Sequence, residues 1–345
     1  MNKLRRALLA GALLAAAGAP ALAAAPLVIG FAQAGGDSAW RNANSASIKA
    51  AAALDGITLK FADAGPGPDS QARQIAALRS FIAQKVDLIA FAPSADAGWA
   101  AVLREAKAAG IPVIVTGHAL APAEIGLYAA FLGSDYAEQG RRAGRWLAAR
   151  AAAPGAAPHI AALHSPASRI AALRIAELHS AAELHIAELQ GAPDAPATLA
   201  RSKGFAQAIA VHPRLKLMQA QSGALSRAGG RHAMAAWLKA GQRIDALYAH
   251  SDELALGAID AIEEAGLKPG RDVVVISIGG SRGAFEAMAA GKLSATVECS
   301  PLLGPQLMEL ARDVAAGRRV PKWVATAEAL FPAGAAAEEL ARRRY

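Results

Sequence analysis

The chain has 345 residues, 54% of them hydrophobic and 5% aromatic, and a formal net charge of +8. That length allows one large or two medium domains with an ample core, and the hydrophobic content excludes a disordered chain. Beyond the first 25 residues the basic residues cluster only at Arg141-Arg142, Arg318-Arg319 and Arg342 to Arg344, with no interleaved aromatics, which argues against a nucleic-acid partner.

The first 25 residues read as a cleavable signal peptide. Lys3, Arg5 and Arg6 form a basic start, Ala7 to Ala17 an apolar run, and Ala21-Leu22-Ala23 a small-x-small cleavage site. The run is too short for a membrane anchor, which needs about 20 apolar residues. An exported, periplasmic protein follows, carrying +5 once those three cations are removed. Cys299 is the only cysteine, so no internal disulfide supports the fold.

From residue 27 onward, short apolar runs alternate with helix-compatible segments. Leu27 to Phe31 reads as a buried parallel strand. Gly35-Gly36 then turns the chain, and Asp37 and Ser38 offer caps for a helix ending at Leu54. Strands are predicted at Thr58 to Ala62, Val86 to Ala92, Ile111 to Thr116 and Leu127 to Leu132. Helices are predicted over Asp69 to Gln84, Trp99 to Ala109 and Asp135 to Arg150. After a Pro/Ala/Gly linker at Ala151 to Pro158, the same alternation resumes at Leu199 and runs to Ala316. Such alternation predicts right-handed βαβ units, and there are too many of them for one compact sheet. Two doubly wound α/β lobes are expected.

Residues 159–184 interrupt this rhythm. Ile160-Ala-Ala-Leu, Ile170-Ala-Ala-Leu and Ile175-Ala-Glu-Leu precede a fourth copy, Ile186-Ala-Glu-Leu, which is best placed to be the strand. The earlier copies read as a repetitive insertion with helix-favouring composition. The spacing of His159, His164, His179 and His185 matches no zinc signature, and no metal is expected.

In an open α/β sheet the ligand crevice lies beyond the carboxyl ends of the strands. The loop with Asp37, Trp40 and Arg41 should face it, offering a carboxylate, an indole and a guanidinium to a polar ligand with an apolar face. Gly279-Gly280-Ser281-Arg282-Gly283 matches the G-x-S-x-G turn of α/β-hydrolases. That fold requires a later histidine, and none follows Ser281. A glycine-rich turn is the expectation there, with a secreted hydrolase as the alternative. No P-loop or G-x-G-x-x-G fingerprint is present, so no cofactor is expected.

Five long phrases carry a family likeness: FAQAGGDSAWR, IAALRSFIAQKVDLIAFAPSADAGW, EAKAAGIPVI, YAHSDELALGAIDAIEEAGLKPG and VVVISIGGSRGAFEAMAAGKLSATVECSPLLGP. Together they resemble the solute-binding proteins of bacterial ABC sugar importers, of the galactofuranose-binding type near the ribose- and galactose-binding proteins. The resemblance implies a type I periplasmic binding protein, a monomer without catalysis. Its two doubly wound parallel-sheet lobes, joined by a three-strand hinge, close on a monosaccharide and dock on an ABC permease in the inner membrane. A sensory role, presenting ligand to a receptor, is the alternative within the same fold.

The implied lobes are residues 26–118 with 281–299, and 122–278 with 302–345. Crossovers would fall near Gly117 to Ala121, Gly279 to Ser281 and Cys299 to Pro301. Residue by residue, the resemblance assigns stacking to Trp40 and hydrogen bonding to Asp37, Arg41, Arg201 and Glu298. His118, Ser251 and Gly279 would line the cleft in altered roles. The usual Asp-Arg after the fourth strand is replaced by Gly117 and His118. The usual acid and aromatic after the Gln-Ser-Gly turn are replaced by Ala224 and Leu225, the usual asparagine by Ser251, and the usual hinge aspartate by Gly279. These departures predict an altered pocket.

Overall fold

The computed structural model describes residues 26–35, 39–152, 183–343 and 345. The expected signal peptide at 1–25, Asp37, and the expected insertion up to residue 182, with His159, His164 and His179, lie outside the described residues. The fourth repeat copy is indeed the strand, within Leu184–Gln190.

Twelve strands of the described residues form two six-stranded sheets. The first contains β1 (Val28–Gln33), β2 (Thr58–Asp63), β3 (Leu88–Phe91), β4 (Val113–Gly117), β5 (Ala130–Gly133) and β11 (Trp323–Ala325), ordered β11-β5-β4-β3-β1-β2. The second contains β6 (Leu184–Gln190), β7 (Leu215–Ser222), β8 (Ala246–Ala249), β9 (Val274–Gly279), β10 (Ala295–Glu298) and β12 (Leu330–Pro332), ordered β12-β10-β9-β8-β6-β7. The two orders are the same, unit for unit. All pairs are parallel except β10 with β12. Central strands such as β3, β5 and β8 are buried along their whole length, as strands covered on both faces must be.

Helices cover both faces of each sheet. In the first, α1 (Ala39–Leu54) lies with a helix late in the chain, Gly304–Ala315, where Ile48, Ala52, Leu307 and Met308 share one core. The helices α2 (Ser70–Ala83) and α3 (Ala100–Ala108) cover the opposite face around Leu78, Phe81, Trp99 and Leu103. In the second, α4 (Tyr136–Ala152) and α5 (Pro196–Ile209) pack around Ala143, Leu147, Phe205 and Ile209. The other face carries α6 (Arg227–Lys239), α7 (Asp252–Glu264) and α8 (Arg282–Ala289). In this numbering Gly304–Ala315 is α9, and a short α10 (Ala336–Leu340) ends the fold.

The lobe boundaries differ from those expected. β5 pairs with β4, Ile114 opposite Ala130, so the first lobe runs on past residue 118 to Gly133. β10 pairs with β9 and belongs to the second lobe, while α9 packs against α1 and belongs to the first. The expected boundaries cut each lobe one βα unit early, because local pattern does not say which strand completes a sheet. The chain therefore crosses between sheets at 134–135, 299–303 and 326–329. Of the three expected crossovers only Cys299 to Pro301 joins the two sheets. Gly117 and Gly279 instead end β4 and β9, each inside one lobe. Sequence reading also missed β11, β12 and a 3-10 helix at Pro122–Leu127, all too short for a periodic signal.

Candidate functional site

Near the crossovers, the end of β4 and the start of α1 in the first lobe meet the start of α4 and the segment after β10. Two hydrogen bonds tie the walls near these connections. Tyr136 Oη, at the start of α4, donates to the Gly117 carbonyl at 3.0 Å, and Trp40 Nε1 donates to the Cys299 carbonyl at 2.9 Å. Asn44, one turn beyond Trp40, donates to the Pro301 carbonyl at 2.9 Å. Trp40 is thus half-buried and anchored to the second crossover.

Arg201 is the most embedded of the predicted site residues, at 7% exposure. Its place follows from a close helix pair. A Cβ on Gly140 of α4 would sit 2.1 Å from the Arg201 carbonyl, and one on Gly204 of α5 would sit 1.9 Å from the Ala137 carbonyl. Only glycine permits that approach, which lays Arg201 against α4. Its Nε donates to Gln139 Oε1 at 2.9 Å, Nη1 to the His250 carbonyl at 3.1 Å and Nη2 to Cys299 Sγ at 3.6 Å. The guanidinium also lies over the Tyr136 ring, 5.1 Å from its centroid. Burial pushes the Tyr136 hydroxyl and the Cys299 thiol above their ordinary values, so both remain protonated at neutral pH.

Beneath Arg201, His250 Nε2 meets Glu188 Oε1 at 2.8 Å, and both residues are 1% exposed. Ser202 donates to the same Glu188 oxygen at 2.7 Å. Burial holds the His250 pKa below its ordinary value, with Glu188 pulling the other way.

In the first lobe, His118 Nε2 lies 3.4 Å from Asp96 Oδ1. Burial lowers the His118 pKa, Asp96 opposes that, and the nearby Arg41 guanidinium lowers it further. His118, Arg41 and Asp96 therefore form one half-exposed polar group on the first lobe. Asp96 follows β3 and was missed in the sequence, as were Tyr136 and Gln139. A search of every strand's carboxyl end would have found Asp96.

Three expected ligand residues have other work in the structure. Glu298 Oε1 accepts from Arg343 Nη1 at 2.6 Å and from Tyr345 Oη at 3.3 Å, so this carboxylate is bound by the chain's own tail. Arg343 is stacked between Phe285 and Phe331, 4.5 Å from each ring centroid. Ser251 caps α7, its hydroxyl accepting from Leu254 N at 3.2 Å. Gly279 has φ of +155°, and a Cβ there would lie 2.2 Å from Asp252 Oδ2. Asp252 is itself occupied, accepting from Ser277 Oγ at 2.5 Å and from Ser281 N at 2.7 Å. An aspartate at 279 would collide with Asp252, so its replacement by glycine is a packing requirement here. Ser281 is the N-cap of α8, accepting from Ala284 N at 3.3 Å. Among the described residues no cluster of three or more His, Cys, Asp or Glu side chains is arranged to hold a metal ion. No described helix is long and apolar enough to cross a membrane.

The arrangement, two like sheets joined by three crossovers, agrees with what similar proteins show. A family model described as a periplasmic binding protein domain matches residues 29–319. The galactofuranose-binding protein YtfQ of Escherichia coli (strain K12) is 36% identical over 344 residues, 99% of this chain and 98% of its own length. A crystal structure from Mycobacterium smegmatis in complex with β-D-fucofuranose is 41% identical with a TM-score of 0.73, covering 91% of this chain and 94% of its own. The periplasmic binding protein component of the arabinose ABC transporter from Shewanella sp. ANA-3, bound to α- and β-L-arabinofuranose, is 38% identical with a TM-score of 0.74, covering 92% and 95%.

Proposed function

The chain belongs to the periplasmic binding protein domain family, and from that premise we propose that it captures a furanose sugar between its lobes and delivers it to the permease of an ABC importer. Arg201 carries the reading. Of the five N–H groups of a guanidinium, three are bonded to Gln139, His250 and Cys299, which leaves one on each terminal nitrogen. Two N–H groups on a planar, immobilised fork suit the vicinal oxygens of a sugar.

In this reading Trp40 offers its ring to the C–H face of the sugar, and Arg41, Asp96 and His118, on the same first lobe, reach its hydroxyls opposite Arg201. Asp37 would extend that set. Glu298, Ser251 and Gly279 shape the wall without bonding the ligand. Closure about the three crossovers removes the sugar from water, and the closed form is what a permease would recognise. Export through a cleaved segment at 1–25 places the protein in the periplasm, where it acts as a monomer. Capture occurs without turnover in this reading, in which Ser281 serves as the N-cap of α8.

Calorimetry with galactofuranose, L-arabinose, D-galactose and D-ribose tests the proposal, supported by native mass spectrometry for a ligand retained through purification. Micromolar or tighter binding, about −8 kcal/mol, is expected for a sugar with an accessible furanose form. Absence of binding to all four, with no copurified sugar, would refute it. The furanose sugars bound by the similar proteins, one of them an ABC transporter component, support transport over the sensory alternative.

A further inference from the structure

We propose that Glu328 and Gln139 are positioning residues that set the orientation of Arg201 from the third crossover, an inference that rests on Arg201 being the ligand-binding arginine. Glu328 stands where the three crossovers meet. Its Oε1 accepts from Ser134 Oγ at 2.5 Å, on the first crossover, and from Thr326 Oγ1 at 2.9 Å, on the third. Ser134 in turn lies 3.8 Å from Cys299 Sγ on the second. The other oxygen, Oε2, accepts from Gln139 Nε2 at 2.8 Å. Gln139 is 1% exposed, and its amide oxygen accepts from Arg201 Nε at 2.9 Å.

The polarity of this chain is fixed. A carboxylate only accepts and a guanidinium only donates, so the amide between them has one permitted orientation. Turning it over would set its oxygen against the Glu328 carboxylate and its NH₂ against the Arg201 cation. Glu328 holds the amide from the hinge side, and the amide oxygen takes the Nε–H of Arg201. That choice aims the remaining face of the guanidinium, with its unbonded N–H on each terminal nitrogen. The backbone carbonyl of Glu328 also accepts from Arg142 of α4, which ties the same residue to the helix that bears Gln139. A change in crossover geometry is thereby passed to the ligand arginine through two hydrogen bonds.

An exchange of the two side chains tests this. Gln139→Glu alone faces two carboxylates across 2.8 Å and breaks the relay. Glu328→Gln alone still presents an acceptor to Gln139 and should change little. The double variant Q139E/E328Q restores a donor from 328 to 139 and an acceptor for Arg201. Two readouts apply to the full-length chain: affinity for L-arabinose by calorimetry, and the Arg201 Nε–H resonance in a ¹H–¹⁵N spectrum. The second requires no ligand. We expect Q139E to weaken binding at least ~10-fold and to shift or broaden the Arg201 signal. E328Q should stay within about threefold of the wild type, and the double variant should return to that range with the native resonance. An unchanged Arg201 resonance in Q139E, or a double variant as perturbed as Q139E, would overturn the inference. If the wild type binds no sugar, the sugar reading fails by itself and the resonance alone decides the relay.

Discussion

In the second lobe near the crossovers, the polar groups are bonded to one another. Arg201 is bonded to Gln139, His250 and Cys299, His250 to Glu188, and Asp252 to Ser277 and Ser281. On the first lobe's side, His118 and Asp96 are a loose pair at 3.4 Å, with side chains 36% and 56% exposed. Both lobes are built on the same strand order, so the difference lies in the side chains that each presents and not in the topology. Around Arg201 the second wall is buried and bonded, whereas the His118–Asp96 pair on the first is more exposed and the more adaptable of the two. A rigid wall lowers the ordering cost of binding, and a hydrated wall lets the ligand enter.

Four substitutions sharpen or break that comparison. The largest effect is expected from Arg343→Ala. It leaves the partly buried Glu298 with only the Tyr345 hydroxyl as partner, and unfolding should cost about 3 kcal/mol less by chemical denaturation, with sugar affinity little changed. A large loss of affinity at preserved stability would return Glu298 and its neighbours to the ligand. Next, Arg201→Ala should weaken sugar binding ~100-fold, about 3 kcal/mol, because two charge-assisted hydrogen bonds are lost. A loss this large from His118→Ala instead would place the recognition energy on the adaptable wall. Third, Gly279→Asp should destabilise the fold by about 2 kcal/mol, through a strained backbone and a second carboxylate against Asp252. Improved sugar binding with no stability loss would show that the position is free to carry a ligand residue.

The smallest effect concerns pH. Burial lowers the His250 pKa, so the folded state favours the neutral ring. The stability this contributes is complete above the ordinary value of 6.5 and is lost as pH falls through the lowered one. Between about pH 7 and pH 5 the unfolding temperature of the wild type should fall more than that of His250→Gln, by the equivalent of ~1 kcal/mol or less. Equal slopes would remove His250 from the account.

Much of the fold was legible in the sequence because the strands are buried on both faces and the helices are periodic and glycine-stopped. The lobe boundaries were not. Which strand pairs with β4 depends on a contact between Ile114 and Ala130, and no local pattern encodes it. The site divided in the same way. Trp40 and Arg41 lie in the first turn of α1, directly after the loop expected to face a ligand, and Arg201 lies in the second turn of α5. Glu328 lies in an irregular crossover, and its role exists only once three distant segments meet. The partners of Glu298, Arg343 and Tyr345, arrive from the far end of the chain, where no local pattern announces them.

Small-angle scattering of the full chain, with and without a sugar that calorimetry shows to be saturating, tests the central claim most directly. The account predicts a smaller radius of gyration with sugar in the wild type and no contraction in Arg201→Ala at the same concentration. Identical scattering curves for free and saturated wild type would contradict it.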